Sequence, residues 1–181
     1  GGEPLVRKGC ASLIREIKSL PGVEQVTMTT NGVLISGYLE QLSEAGLDAV
    51  NISLDTLNRE EFAELTGADH LPEVLKSIDA AVESGLRVKV NAVLQKGENA
   101  DEWQQLLELA KDRPLDVRFI EMMPIGYGKE FRFRGEDEIC SILESAYGKM
   151  TPVIEHYGNG PCHYYEIEGF QGKIGFISAM T

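Results

Sequence analysis

Ala49-Val50-Asn51-Ile52-Ser53-Leu54-Asp55-Thr56 is the stretch on which the reading of the fold turns. From Val50 its side chains alternate. A strand here puts Val50, Ile52 and Leu54 on one face and Asn51, Ser53 and Asp55 on the other. A predicted helix over about 38–44 precedes it and ends in Ala45-Gly46, a good C-cap, and a helical region begins near Arg59. The same order repeats outward in both directions. Upstream, Leu5, Leu13, Ile14, Ile17 and Leu20 stand at broadly helical spacing and are closed by Pro21-Gly22; strand 25–30 and the turn Asn31-Gly32 follow. Downstream come helix 71–83, strand 87–94, a loop around Gly97, helix 100–111 and strand 116–121. Strands alternating with long helical patterns imply βαβ crossovers and a parallel sheet. After helix 136–146 the rhythm changes, and 163–167 and 173–177 flank a glycine-rich turn at 169–172 as an antiparallel hairpin. The expected organisation is an α/β core over 1–150 and a hairpin region over 151–181.

Strands covered on both faces usually read as near-continuous apolar runs, and these do not. Thr27, Thr29 and Asn31 oppose Val26 and Met28; Lys89 and Asn91 oppose Val88, Val90 and Ala92; Arg118 opposes Val117 and Phe119. The pattern predicts a curved parallel sheet with one apolar face under helices and one polar face lining a cavity. A filled barrel lumen would carry branched apolar side chains instead. Burying one unpaired charge costs several kcal/mol, so Lys89 and Arg118 need an anionic partner or water. Asp55 and Glu121 are candidates for a structural ion pair; a bound anionic ligand is the other reading. The strand ends offer Asn31-Gly32, Asp55-Thr56 and Glu121-Met122-Met123-Pro124, where α/β folds place their chemistry. Met122 and Met123 also suit plain gap-filling in a core.

The chain has 181 residues, 43% hydrophobic and 25% charged, with a net charge of −12. That size suits one globular domain with a core. So acidic a surface repels polyphosphate backbones and anionic membranes, which argues against nucleic-acid and membrane partners but not against a small anion in a pocket. No apolar run approaches the ~20 residues that span a bilayer. Cys10, Cys140 and Cys162 are odd in number and form no C-x-x-C pair, which fits reduced thiols in the cytoplasm. The opening on Gly1 without a Met predicts an excised segment.

Gly1-Gly2-Glu3-Pro4 reads as a tight turn, with glycines permitting close backbone approach and Pro4 fixing φ where a helix begins. Alone it is weak, since Gly-Pro turns are common. With Leu5, then Thr29-Thr30-Asn31-Gly32, then Asn51-Ile52-Ser53-Leu54-Asp55, it resembles the radical S-adenosylmethionine (SAM) superfamily. Val88-Lys89-Val90-Asn91-Ala92-Val93, Arg118-Phe119-Ile120-Glu121-Met122-Met123-Pro124 and Gly175-Phe176-Ile177-Ser178 narrow the resemblance to the GTP 3′,8-cyclase family of molybdenum cofactor biosynthesis.

The resemblance implies an incomplete (βα)6, TIM-type radical SAM barrel with a C-terminal antiparallel hairpin. It implies an enzyme in which a [4Fe-4S] cluster reduces SAM to a 5′-deoxyadenosyl radical, opening the rearrangement of GTP to 3′,8-cyclo-7,8-dihydro-GTP. By position, Gly2, Glu3 and Ser53 would contact SAM, and Met123 would meet its adenine through the backbone. Thr29, Lys89 and Arg118 would hold GTP, and no residue is singled out as catalytic. The family carries two [4Fe-4S] clusters, one on a C-x3-C-x2-C loop upstream and one on three cysteines downstream, and is homodimeric. None of Cys10, Cys140 or Cys162 matches either set, so no metal ligand is assigned and this stretch by itself is expected to be inactive. The first two barrel strands would also be missing, leaving the Val26 strand as an open edge. Alternatives are another radical SAM enzyme with an anionic substrate, a phosphate-binding barrel lyase using Lys89 as a Schiff-base amine, and a non-catalytic binding module.

Overall fold

The computed structural model describes residues 2–93, 103–121, 136–154 and 160–178. It divides into two compact units, Gly1–Leu54 with Asn58–Val90, and Asp55–Leu57 with Asn91–Thr181.

The first unit opens with a 3-10 turn, Pro4–Val6, then helix α1, Cys10–Lys18. Gly9, at φ 83°, separates the two, a left-handed conformation that glycine adopts without steric cost. The periodic run expected as one helix is therefore broken. Leu5 and Ile14 are buried, whereas Leu13, Ile17 and Leu20 are 48%, 37% and 56% exposed. Helical spacing places residues on one face; it does not supply a neighbour to cover that face.

Strand β1, Thr27–Thr30, lies parallel to β2, Ala49–Ser53, with Met28 opposite Val50 and Thr29 opposite Asn51. Between them run a 3-10 turn, Ile35–Gly37, and helix α2, Leu39–Glu44. After β2 come α3, Arg59–Thr66, and α4, Leu71–Glu83. Asn58 caps α3 by accepting from the backbone N–H groups of Glu60 and Glu61, satisfying donors that a helix start leaves open. Leu71, Val74, Ile78 and Ala81 form the buried face of α4, the i, i+3, i+4 stripe of an amphipathic helix. The strand order is β1-β2-β3, with β1 at the edge, and strand β3, Arg87–Val93, runs from this unit into the next.

The alternation read from sequence is present in β1 and β2, whereas in β3 Lys89 is buried along with Val88 and Val90. Met28, Val50, Ile52, Leu54, Val88 and Val90 are buried, while Thr27, Thr29, Asn31 and Ser53 are exposed. Burial of each such aliphatic side chain is worth about 1.5–3 kcal/mol, which pins the register.

The second unit contains α5, Trp103–Asp112; β4, Asp116–Ile120; α6, Glu136–Tyr147; β5, Met150–Pro152; β6, His163–Ile167; and β7, Ile174–Ile177. Its strand order is β3-β4-β7-β6-β5. The hairpin β6–β7 was expected, but two of its pairings were not. β7 lies parallel to β4, with Gly175 opposite Arg118, and β5 adds antiparallel to β6. Trp103, Phe119 and Phe176 pack in sequence, with ring centroids 5.8 and 6.0 Å apart. The turn into β7 presses on its surroundings: a Cβ at Gly172 would stand 1.7 Å from the Leu115 carbonyl oxygen. The loop expected around Gly97 and the start of the helix expected from residue 100 lie outside the described residues.

Candidate functional site

The Gly2–Glu3 turn is held by the Glu3 side chain. Its carboxylate accepts from the Leu5 N–H (3.1 Å), the Thr30 hydroxyl (2.7 Å) and the Asn31 N–H (2.7 Å). Thr30 is buried, and its oxygen in turn accepts from the Gly32 N–H at 3.1 Å. Asn31 closes a local turn by accepting from the Val33 N–H. Gly32 has φ 84°, and a Cβ there would meet Ile52 Cγ2 at 2.8 Å, so both conformation and space demand glycine. Gly2 differs: it is exposed, and a Cβ on it would touch nothing within 4 Å. No packing among the described residues calls for glycine at that position.

The strands of the first unit carry the other expected residues. Thr29 is exposed and accepts from the Asn51 amide at 3.3 Å. Ser53 is exposed at the end of β2. Lys89 is buried at 8% exposure in mid-β3, an uncommon place for an ammonium group. Thus Glu3, Thr30 and Asn31 form one connected end of the sheet, and Thr29 pairs with Asn51. Thr30 belongs to a motif read from the sequence, yet no role fell to it there, because its partner Glu3 lies 27 residues away.

In the second unit Arg118 is half-buried, and its Nε donates to Asn91 Oδ1 at 2.8 Å. Asp55, one of the expected counter-ions, accepts from the Val93 N–H at 2.8 Å. Burial raises its carboxyl above the usual range, and that hydrogen bond opposes the rise only in part. Met123 lies outside the described residues.

The cysteines lie on separate parts of the chain. Cys10 starts α1, Cys140 lies within α6 and Cys162 precedes β6. Burial, followed by Glu136, Asp137 and Glu144, pushes the Cys140 thiol up to about 11, and a protonated thiol is a poor metal ligand. Among the described residues no three His, Cys, Asp or Glu side chains are placed to hold a metal ion, so they do not fit an iron–sulfur cluster. No helix among them is long and apolar enough to cross a membrane.

The profile of the Radical SAM superfamily matches residues 1–110. GTP 3′,8-cyclase of Clostridium perfringens (strain 13 / Type A) is 46% identical over 181 residues, covering 100% of this chain and 56% of that protein. Molybdenum cofactor biosynthesis protein moc-5 of Caenorhabditis elegans is 41% identical over 184 residues, covering 100% of this chain and 30% of the relative. The chain thus spans little more than half the length of the bacterial relative. Among solved structures, Streptococcus suis SuiB bound to S-adenosylmethionine superposes with a TM-score of 0.66 over 98% of this chain and 38% of its own, at 16% identity. A domain of pyruvate-formate lyase-activating enzyme from Bacteroides vulgatus gives 0.63 over 80% of this chain and 88% of its own, at 15% identity. At such identities the likeness concerns the fold alone.

Proposed function

The chain belongs to the radical SAM superfamily, and from that membership we propose that it is the core of a GTP 3′,8-cyclase. Its reaction converts GTP to 3′,8-cyclo-7,8-dihydro-GTP, the first step of molybdenum cofactor biosynthesis. One observation carries this reading. The 46% identity to a GTP 3′,8-cyclase runs through all 181 residues, including 111–181, which the superfamily profile does not reach.

The chain's own residues divide the work. The Gly2 backbone receives the methionine end of SAM, Ser53 also contacts SAM, and Met123 meets its adenine. Glu3 acts there mainly through its backbone, because its carboxylate is engaged by Leu5, Thr30 and Asn31. SAM, when bound, would supply the radical chemistry that removes the C3′ hydrogen of GTP. Thr29, Lys89 and Arg118 bind GTP. Lys89 acts as a point charge and Arg118 as a planar fork, the two ways in which proteins hold phosphate oxygens.

The working enzyme is a cytoplasmic homodimer in this reading. Three free thiols suit a reducing compartment, and the exposed apolar side of α1 suits a covered surface. The deciding experiment is anaerobic incubation of the intact enzyme carrying this chain with GTP, SAM and a reductant. Conversion of GTP to the cyclic product is expected. SAM cleavage that ignores GTP and leaves it unchanged would point to a different anionic substrate.

A further inference from the structure

Four strands of the second unit bring four residues into one transverse row. Asn91 on β3 accepts from Arg118 Nε on β4 at 2.8 Å. Arg118 stands opposite Gly175 on β7, and Gly175 stands opposite Tyr164 on β6. Residues directly opposite in a sheet project from the same face. The backbones of β4 and β6 lie two strand spacings apart, about 10 Å, which side chains bridge only if the strand between presents none. Gly175 provides that gap. A Cβ there would stand 3.0 Å from Arg118 Cγ, 3.1 Å from Tyr164 Cε1 and 2.6 Å from Cys162 Sγ.

Arg118 and Tyr164 therefore meet over a glycine. The Arg118 guanidinium and the Cys162 side chain both lie within side-chain hydrogen-bonding reach of the phenol. Tyr164 is only 4% exposed. Burial and then Cys162 push its phenol well above the ordinary range, so it stays neutral and cannot neutralise the arginine.

We propose that Tyr164 is a positioning residue for Arg118: across the gap left by Gly175 it fixes one side of the guanidinium while Asn91 fixes the other, setting the fork for a phosphate-class anion. A guanidinium anchored at two points loses less freedom when it binds a bidentate anion. This rests on the reading of Arg118 as a substrate-anion residue.

The test is Tyr164→Phe in the intact enzyme, which keeps the ring in the core and removes only the phenol oxygen. Two probes are used, inorganic triphosphate by calorimetry and GTP by steady-state kinetics. Loss of one hydrogen bond to a charged group predicts roughly tenfold weaker triphosphate binding. A matching rise in KM for GTP is expected, with kcat and SAM affinity nearly unchanged. Gly175→Ala should move triphosphate affinity in the same direction by displacing the Arg118 stem. Unchanged triphosphate affinity in Tyr164→Phe overturns the proposal, as does a fall in kcat at constant KM. Should the parent enzyme bind triphosphate but not convert GTP, the cyclase reading fails while the Tyr164→Phe affinity ratio still decides the positioning role. A parent enzyme that binds neither probe overturns both.

Discussion

Glu3 shows how one side chain can shape a ligand turn without facing the ligand. Three donors converge on its carboxylate, from Leu5, Thr30 and Asn31, so the Gly2 backbone is held by contacts far along the chain. Glu3→Gln keeps the volume but sets an amide NH2 against either the Asn31 N–H or the Thr30 hydroxyl and Leu5 N–H. A mispaired donor of this kind costs about 1–3 kcal/mol. Urea unfolding should show that loss, and SAM titration should show weaker binding, while an unchanged midpoint would mean the carboxylate holds nothing. Gly2 and Glu3 were legible in the sequence as a turn. The division of labour between them was not, because a hydrogen-bond partner many residues away leaves no local pattern.

Among the elements, two joints carry testable consequences. The Lys18 ammonium at the end of α1 contacts both carboxylate oxygens of Asp48, at 2.8 and 2.7 Å, and Asp48 also accepts from the Val26 N–H at 2.7 Å. Burial opposes the Asp48 charge, but Lys18 and Val26 outweigh it and hold the carboxyl below its ordinary value of 3.8. A depressed folded-state value stabilises the fold above the unfolded value and loses that contribution as pH falls through the folded one. Acid titration of stability should therefore show a loss below about pH 4 that Asp48→Asn shares only in part. The second joint is Gly172, whose N–H donates to the Ala110 carbonyl at 2.8 Å and which has no room for a methyl group. Gly172→Ala must displace backbone and should destabilise by at least about 3 kcal/mol, the upper end of overpacking costs. Thermal unfolding reads this directly, and a wild-type midpoint would refute the close packing of that turn. Turn glycines at 169–172 were visible from composition; that one of them supports α5 was visible only in the fold.

For the molecule as a whole, the exposed apolar residues of the first unit set up an opposition with its charge. Val6 is 70% exposed, and Leu13, Ile17 and Leu20 lie at helical spacing beyond it. β1 stands at the edge of its sheet, and edges of this kind invite pairing. The net charge of −12 opposes self-association at low salt. Screening shortens to about 3 Å at 1 M ionic strength, so light scattering should show mass rising with salt, and Leu13→Glu with Ile17→Glu should suppress the rise. A constant monomer mass at high salt and concentration would count against a sticky face.

The sequence by itself determined every strand but β5, most of the helices and, in β1 and β2, the split into an apolar and a polar face. These follow from period two, period 3.6 and turn residues, all of which are local. It also located Thr29 and Ser53 on the exposed side of their strands. Only the tertiary structure decided that β7 lies beside β4, so that two motifs 57 residues apart become neighbours at Arg118 and Gly175. It alone decided that Ile14 is covered while Leu13 and Ile17 are not. Periodicity states which side chains share a face. What that face meets is set by chain segments distant in sequence, because packing energy belongs to pairs of surfaces and not to a residue.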